Sequence, residues 1–166
     1  MTRPPRIVGT VAAALLAAGC TAGQQGQPAP LVGAWRSSVQ FETGPFAGLK
    51  DLEFMFVFNS GGTLTESSNY DGAPPVPPAY GAWRPVGPRE FEAKYEFYST
   101  APSPPDAFKG GAGWLPSGRG VFTERITLSA DGQAFTSIIR YEALGNNGEP
   151  VEGSGDARGR AVRIGF

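Results

Sequence analysis

Histidine is absent from the 166 residues, and cysteine occurs once, at Cys20. Histidine is the usual general base near neutral pH and the commonest metal ligand. Its absence excludes Ser-His and Cys-His nucleophilic schemes, carbonic-anhydrase-like zinc sites and His-carboxylate iron sites. A lone cysteine has no partner in the chain for a disulfide, a metal pair or a catalytic dyad. No segment has the spaced Asp and Asn loop, ending in Glu, of an EF-hand, and no cofactor or metal is expected. An all-carboxylate mechanism stays open. Also missing is any window of eleven or more residues with a helical apolar stripe, and any basic stripe, so nucleic acid is not an expected partner.

What is present begins with an address. "MTRPPRIVGTVAAALLAAGC" places Arg3 and Arg6 before an apolar stretch from Ile7 to Ala18, then small residues before Cys20. That is the layout of a secretory signal peptide, too short to span a membrane. Leu16-Ala17-Ala18-Gly19-Cys20 resembles the bacterial lipobox, with Ala17 where that pattern usually has Leu. The resemblance implies a lipoprotein signal peptide over residues 1–19 and a lipidated Cys20 as the first mature residue. Thr21 stands where the family's inner-membrane retention signal has Asp. The implied location is the cell envelope, at the outer membrane facing the periplasm in a Gram-negative host.

Residues 20–30, "CTAGQQGQPAP", read as a flexible tether, and residues 31–166 as one folded domain. Of the 14 Lys and Arg, two leave with the signal, so 12 basic residues face 15 acidic ones, a net charge of −3.

Alternation with period two and turn dipeptides dominate the domain. Leu31 to Glu42 reads as a first strand with Trp35, Ser37, Val39 and Phe41 on one face. "LEFMFVFN", from Leu52 to Asn59, comes next with Leu52, Phe54, Phe56 and Phe58 on one side, then the turn "NSGG" and the strand "TLTESS". Tyr80 to Val86 and Glu90 to Ser99 form the next pair. In the latter, Phe91, Ala93, Tyr95 and Phe97 face one way, and Glu92, Lys94 and Glu96 the other. Arg119 to Ser129 and Gln133 to Leu144 flank an Asp131-Gly132 turn, and Val151 to Phe166 makes an eighth strand after Asn147-Gly148. Eight sequential antiparallel strands predict an all-β, up-and-down barrel, with a two-sheet β-sandwich as the alternative.

Two proline-rich stretches, "NYDGAPPVPPAYG" and "TAPSPPDAFKGGAGWLPSG", read as loops, since proline cannot donate to a strand ladder. The second contains Phe108, Trp114 and Leu115, which suggests either a lid over a barrel mouth or packing on the outer wall. The tetrapeptide GAWR occurs at Gly33 to Arg36 and at Gly81 to Arg84, but the residues after the two copies differ. It marks two strand entries rather than a duplicated domain.

Gly33-Ala34-Trp35, the eight strands and the arginine-bearing "ARGRAVRIGF" together resemble the lipocalin and calycin group. In that group the tryptophan of an early G-x-W closes one barrel end and packs against a late arginine. The resemblance implies that role for Trp35, with Arg160 as the partner and Arg158 and Arg163 as alternatives. A T-D-Y triplet that many lipocalins carry between their sixth and seventh strands is not found here. A calycin-like lipoprotein is therefore the name that the resemblance supports.

Inside such a barrel, Glu124 shares a face with Phe122, Ile126 and Leu128, and a two-residue Asp131-Gly132 turn would place Ile139 opposite it. Register decides whether that face is the lumen. The candidate ligand-binding residues are Phe54, Phe56, Glu66, Tyr95, Phe97, Trp114, Glu124 and Tyr141. No catalytic residue is assigned. Three functions are expected in descending order. The first is a membrane-anchored barrel holding a small apolar or amphipathic ligand, such as a fatty acid, lipid fragment or pigment. The second is an assembly lipoprotein meeting an envelope partner through its surface and proline loops, and the third a small carboxylate- and tyrosine-dependent isomerase or cyclase.

Overall fold

The computed structural model describes residues 30–70, 77–107 and 113–165. The expected signal peptide, Cys20, the tether as far as residue 29, Phe108 and residues 71–76 of the first proline stretch lie outside them. The strands are β1 (Gly33–Phe41), β2 (Leu52–Phe58), β3 (Thr63–Ser68), β4 (Ala79–Pro85), β5 (Glu90–Pro102), β6 (Trp114–Leu128), β7 (Ala134–Leu144) and β8 (Gly155–Arg163). Each pairs antiparallel with the next, and β8 pairs with β1, so the sheet is a closed eight-stranded barrel. Closure rules out the β-sandwich. It also leaves no edge along the barrel wall, which an open sheet of this size would have to protect.

Register follows from the alternation. Trp35 lies opposite Phe56 on β2 and opposite Arg163 on β8. Glu124 lies opposite Ile139, the pairing expected from the Asp131-Gly132 turn. Trp35, Ser37, Val39 and Phe41 all point inward on β1, as do Leu52, Phe54, Phe56 and Phe58 on β2. Outward positions carry the charges, including Arg84 and Arg125 paired to Glu92, and Arg158 paired to Glu42. Exposed pairs of this kind contribute little to stability.

Both GAWR segments arrive at the same end of the barrel and close it. Trp35 is wholly buried, donates its indole N–H to the Leu31 carbonyl at 2.9 Å and meets Phe135 with ring centroids 5.0 Å apart. Trp83 donates to the Asn59 carbonyl at 3.1 Å and lies edge-on to Phe58 and Phe91. Their glycines have different reasons to be there. Gly33 has φ +136°, and a Cβ on it would lie 2.6 Å from an Arg163 guanidinium nitrogen. Gly81 faces the β5 backbone so closely that a Cβ would lie 2.0 Å from the Lys94 carbonyl oxygen. The first glycine admits a side chain and the second admits a strand.

The arginine that covers Trp35 is Arg163, not Arg160. Along β8 the side chains of Asp156, Arg158 and Arg160 share the outer face, whereas Arg163, an odd number of positions after Arg160, falls on the inner one. Its guanidinium carbon lies 4.2 Å from the Trp35 ring centroid. Its nitrogens donate to the carbonyls of Pro30, Val32 (2.9 Å) and Gly132 (3.1 Å).

Two other expectations need correction. The second proline stretch is in large part ladder: β5 continues to Pro102 and β6 starts at Trp114, with a bulge where Ser99 and Thr100 pair with Gly118 and Pro116. Pro102 ends its strand and Pro116 sits beside the bulge, the positions at which a missing N–H disturbs a sheet least. The eighth strand begins at Gly155 rather than Val151, because residues 151–154 bend away after the Leu144 to Pro150 bridge.

Replacement of Arg163 by Ala removes the ring contact and three charged hydrogen bonds to carbonyls. The expected loss of unfolding free energy in urea titrations is about 1–3 kcal/mol. Arg160→Ala on the outer face is expected to change stability by less than about 0.5 kcal/mol. Equal losses for the two variants would contradict the placement of the pair.

Candidate functional site

The barrel is filled at one end and hollow at the other. Trp35, Phe58, Leu64, Phe91, Leu128 and Phe135 pack the closed end, all at most 2% exposed. From there a continuous path of rings climbs the interior. Phe135 touches Phe56 (6.3 Å between centroids), Phe56 touches Tyr95 (5.7 Å), Tyr95 stacks on Phe122 (5.0 Å), and Phe122 meets Tyr141 (5.1 Å). Each such pair contributes about 0.5–1.5 kcal/mol beyond its area burial.

Above Phe122 and Phe54 the packing stops and a cavity of about 360 Å3 opens towards the far rim. Its wall is mostly aromatic and aliphatic, with Phe41, Leu52, Phe54, Phe97, Phe122 and Tyr141 from five strands. The volume is at the lower end of the range in which small-molecule sites occur.

The cover of this cavity comes from the β1–β2 connection. Phe46 lies against Phe41 (5.2 Å), Tyr141 (5.3 Å) and Tyr70 (5.6 Å), held by turns that pair Ala47 with Gly44 and Leu49 with Phe46. The connection is fixed to β8 by the Glu42 N–H donating to the Asp156 carbonyl and by the Asp156 N–H donating to Thr43 Oγ1. Trp114 lines the rim from the β5–β6 hairpin and is 40% exposed.

Among the expected ligand-binding residues, the structure brings Phe54, Glu66, Phe97, Trp114 and Tyr141 to the cavity. Phe56, Tyr95 and Glu124 do not reach it; they lie beneath the floor. The strand alternation that put them inside could not say how far down the barrel they sit. Phe46 carries no signal in the sequence because its segment, "ETGPFAGLKD", has no periodicity, and a single aromatic in a turn does not announce a role.

Polar groups gather at the floor. Glu66 on β3 is 5% exposed and Glu124 on β6 is 1% exposed. Tyr95 donates its hydroxyl to Glu124 Oε2 at 2.9 Å. Ser137, opposite Ile126 on β7, lies near enough to favour the ionised Glu124, yet its hydroxyl falls short of a hydrogen bond. Glu66 Oε1, Glu124 Oε1 and Ser137 Oγ are buried with no partner. Glu53 and Glu142, also within strands, face outward.

Burial without a cation controls the protonation of this pair. Desolvation pushes Glu66 up to about 8, with the neighbouring Glu124 charge adding to the effect. Desolvation also raises Glu124, to about 7, against the opposing pull of Ser137 and Tyr95. Tyr95 is held well above its ordinary range, by burial first and then by the two carboxylates, so it remains a hydrogen-bond donor. The carboxyls thus lose their protons in two coupled steps that belong to the pair.

No family model, curated protein or solved structure matches this chain. The reading of the cavity therefore rests on its own geometry.

Both carboxyls bind a proton more tightly in the folded chain than at the ordinary value of 4.5. Their contribution to stability is fully present below about pH 4.5 and is lost as pH rises through about 7 and 8. Urea titrations at pH 5 and pH 9 are expected to show a loss on the order of a few kcal/mol for the natural chain. The double variant Glu66→Gln, Glu124→Gln should lose much less, and identical pH profiles for the two would mean that ionising the pair costs the fold nothing.

Proposed function

We propose that this chain is a membrane-anchored lipoprotein whose barrel holds a small amphipathic molecule. The observation that carries the reading is the half-filled interior: a largely ring-lined cavity of about 360 Å3, closed below, covered by Phe46 and with the carboxyl of Glu66 in its wall. A barrel evolved only as a scaffold would gain stability by filling such a space, since an unfilled apolar volume costs dispersion contacts. The ligand's apolar body would lie against Phe54, Phe97 and Tyr141, and its polar head would meet Glu66. The calycin resemblance in Gly33-Ala34-Trp35 and in the late arginine agrees with this use, and the barrel is compatible with that architecture. The anchor is the lipidated Cys20 read from the lipobox-like segment.

The isomerase or cyclase reading is kept second, because Glu66, Glu124 and Tyr95 form a buried acid–base set whose protons leave near neutral pH. Of the three, only Glu66 reaches the cavity.

Two measurements test the proposal. Titration of the full chain with 1-octanol, followed by calorimetry, is expected to give one saturable site. Ser68→Trp, which places an indole in the cavity, is expected to weaken binding at least about tenfold with the melting transition retained. Saturable binding that ignores Ser68→Trp would put the ligand elsewhere, and no binding would leave the cavity without a use.

For the anchor, Cys20→Ser in a host carrying the lipoprotein-processing machinery is expected to abolish fatty-acid labelling and to move the chain from the membrane to the soluble fraction. Each acyl methylene contributes about 0.8 kcal/mol to membrane partition, so the loss should be nearly complete. Unchanged labelling would overturn the anchor.

A further inference from the structure

The interior of this barrel is acidic and holds no balancing cation at its hollow end. Among the described residues every lysine side chain faces outward, and so does every arginine except Arg163, which lies at the opposite, closed end over Trp35. Around Glu66 the neighbours across the ladders are Phe56 on β2 and Ala79 on β4. From across the barrel it meets the charge of Glu124 on β6 and the hydroxyl of Tyr95 on β5. Among the described residues, Tyr70 and Tyr141 complete the titratable groups of the cavity wall, together with the rim residue Tyr98.

Glu66 is only 5% exposed, it lines the cavity, and its Oε1 has no hydrogen-bond partner. An orphaned carboxyl oxygen at the floor of a mainly apolar cavity is costly unless something arrives to satisfy it. An ammonium group does so best, because it brings both the missing donors and the missing positive charge. A carboxylate head would bring a third acidic group to a pair that already resists ionisation.

We infer that the cavity selects an apolar molecule bearing one basic amine, with the ammonium bound at Glu66 Oε1 and the apolar body against Phe54, Phe97 and Tyr141. This rests on the cavity being a ligand site, and it narrows the ligand from any small amphiphile to a cationic one. Fatty acids are excluded on the same ground.

Binding of an amine moves a countable proton. In the free barrel at mildly acidic pH both carboxyls are protonated. Binding the ammonium form R–NH3+ therefore expels one carboxyl proton to solvent and leaves an ammonium–carboxylate pair. The same single proton is released if the amine enters neutral and takes its proton from Glu66. Affinity for an amine must then rise with pH while the pair is protonated and level off once one carboxyl is ionised.

The test compares three probes of one chain length on the full protein by calorimetry: octylamine, 1-octanol and octanoate. Octylamine is expected to bind about tenfold or more tighter than octanol at pH 8, and octanoate most weakly. Octylamine affinity should rise about tenfold between pH 5 and pH 6 and level off above about pH 8, with one proton released per amine at pH 5 to 6 in buffers of different ionisation heat. Octanol affinity should show no such rise. Glu66→Gln should bring octylamine and octanol to within about threefold of each other, and the pH slope and proton release of the natural chain decide the matter if that variant does not fold.

Octanol binding with no amine preference, or with octanoate tightest, overturns the inference and leaves the cavity as a ligand site. Binding by none of the three removes both readings together.

Discussion

The contact between Trp35 and Arg163 joins the first strand of the barrel to the last, and everything else in the structure depends on that junction. A strip of eight strands becomes a barrel only if β1 and β8 meet, and their ladder ends at this pair. The guanidinium lies over the indole ring and also donates to carbonyls that precede β1 and that lie in the β6–β7 turn. Two separate stretches of backbone and the Trp35 ring are thereby fixed to one side chain. Gly33 is what makes the arrangement possible, since any larger residue would occupy the guanidinium's place. The resulting plug packs the closed end with side chains that are almost wholly buried, whereas the other end holds the cavity.

That unequal filling creates the electrostatic situation of the interior. Charged side chains of the strands mostly point outward, where water screens them, and the two inward carboxyls have no countercharge at their end of the barrel among the described residues. These carboxyls keep their protons from about pH 4.5, where ordinary glutamates ionise, up to about pH 7 to 8. The fold tolerates them as neutral hydrogen-bonding groups, Glu124 with Tyr95 and Glu66 with nothing from the chain. Protonation therefore substitutes for the ion pair that a buried carboxylate normally requires.

The barrel was legible in the sequence because its information is local. Alternation over "EFEAKYEFYS" and "LEFMFVFN" grouped the residues that share a face, and Asp131-Gly132 set Ile139 opposite Glu124, while only the closed barrel shows that this face is the inner one. What could not be read was depth along the axis. Period two distinguishes inside from outside, but it assigns Phe54 and Phe56 the same role although one lines the cavity and the other lies below its floor. The arginine partner of Trp35 failed for a related reason. Arg158, Arg160 and Arg163 sit in a glycine-interrupted segment whose phase becomes fixed only when β8 pairs with β1. Phe46 and the β5–β6 extension stayed hidden because turns and bulges break the periodicity that makes strands visible in a sequence.

The bulge at Ser99 and Thr100 has a mechanical consequence. The β4 ladder reaches along β5 only to Glu96, and the β7 ladder reaches along β6 only to Arg119. Beyond these points, from Phe97 to Pro102 and from Trp114 to Gly118, the two strands pair with each other alone. A two-stranded ribbon outside the closed wall is a cantilever: among the described residues its one tie to the rest of the chain at Pro116 is the Asn146 side chain donating to that carbonyl, and it can bend without breaking a ladder hydrogen bond of the closed wall. Pro102 and Pro116 remove donors from its edges, which protects the ribbon against pairing with a foreign strand while leaving it soft. Because Trp114 is carried on this arm and Phe46 on a turn fixed to the wall, the mouth has one compliant jaw and one stiff jaw. The size of the opening is thus set independently of the stability of the barrel beneath it.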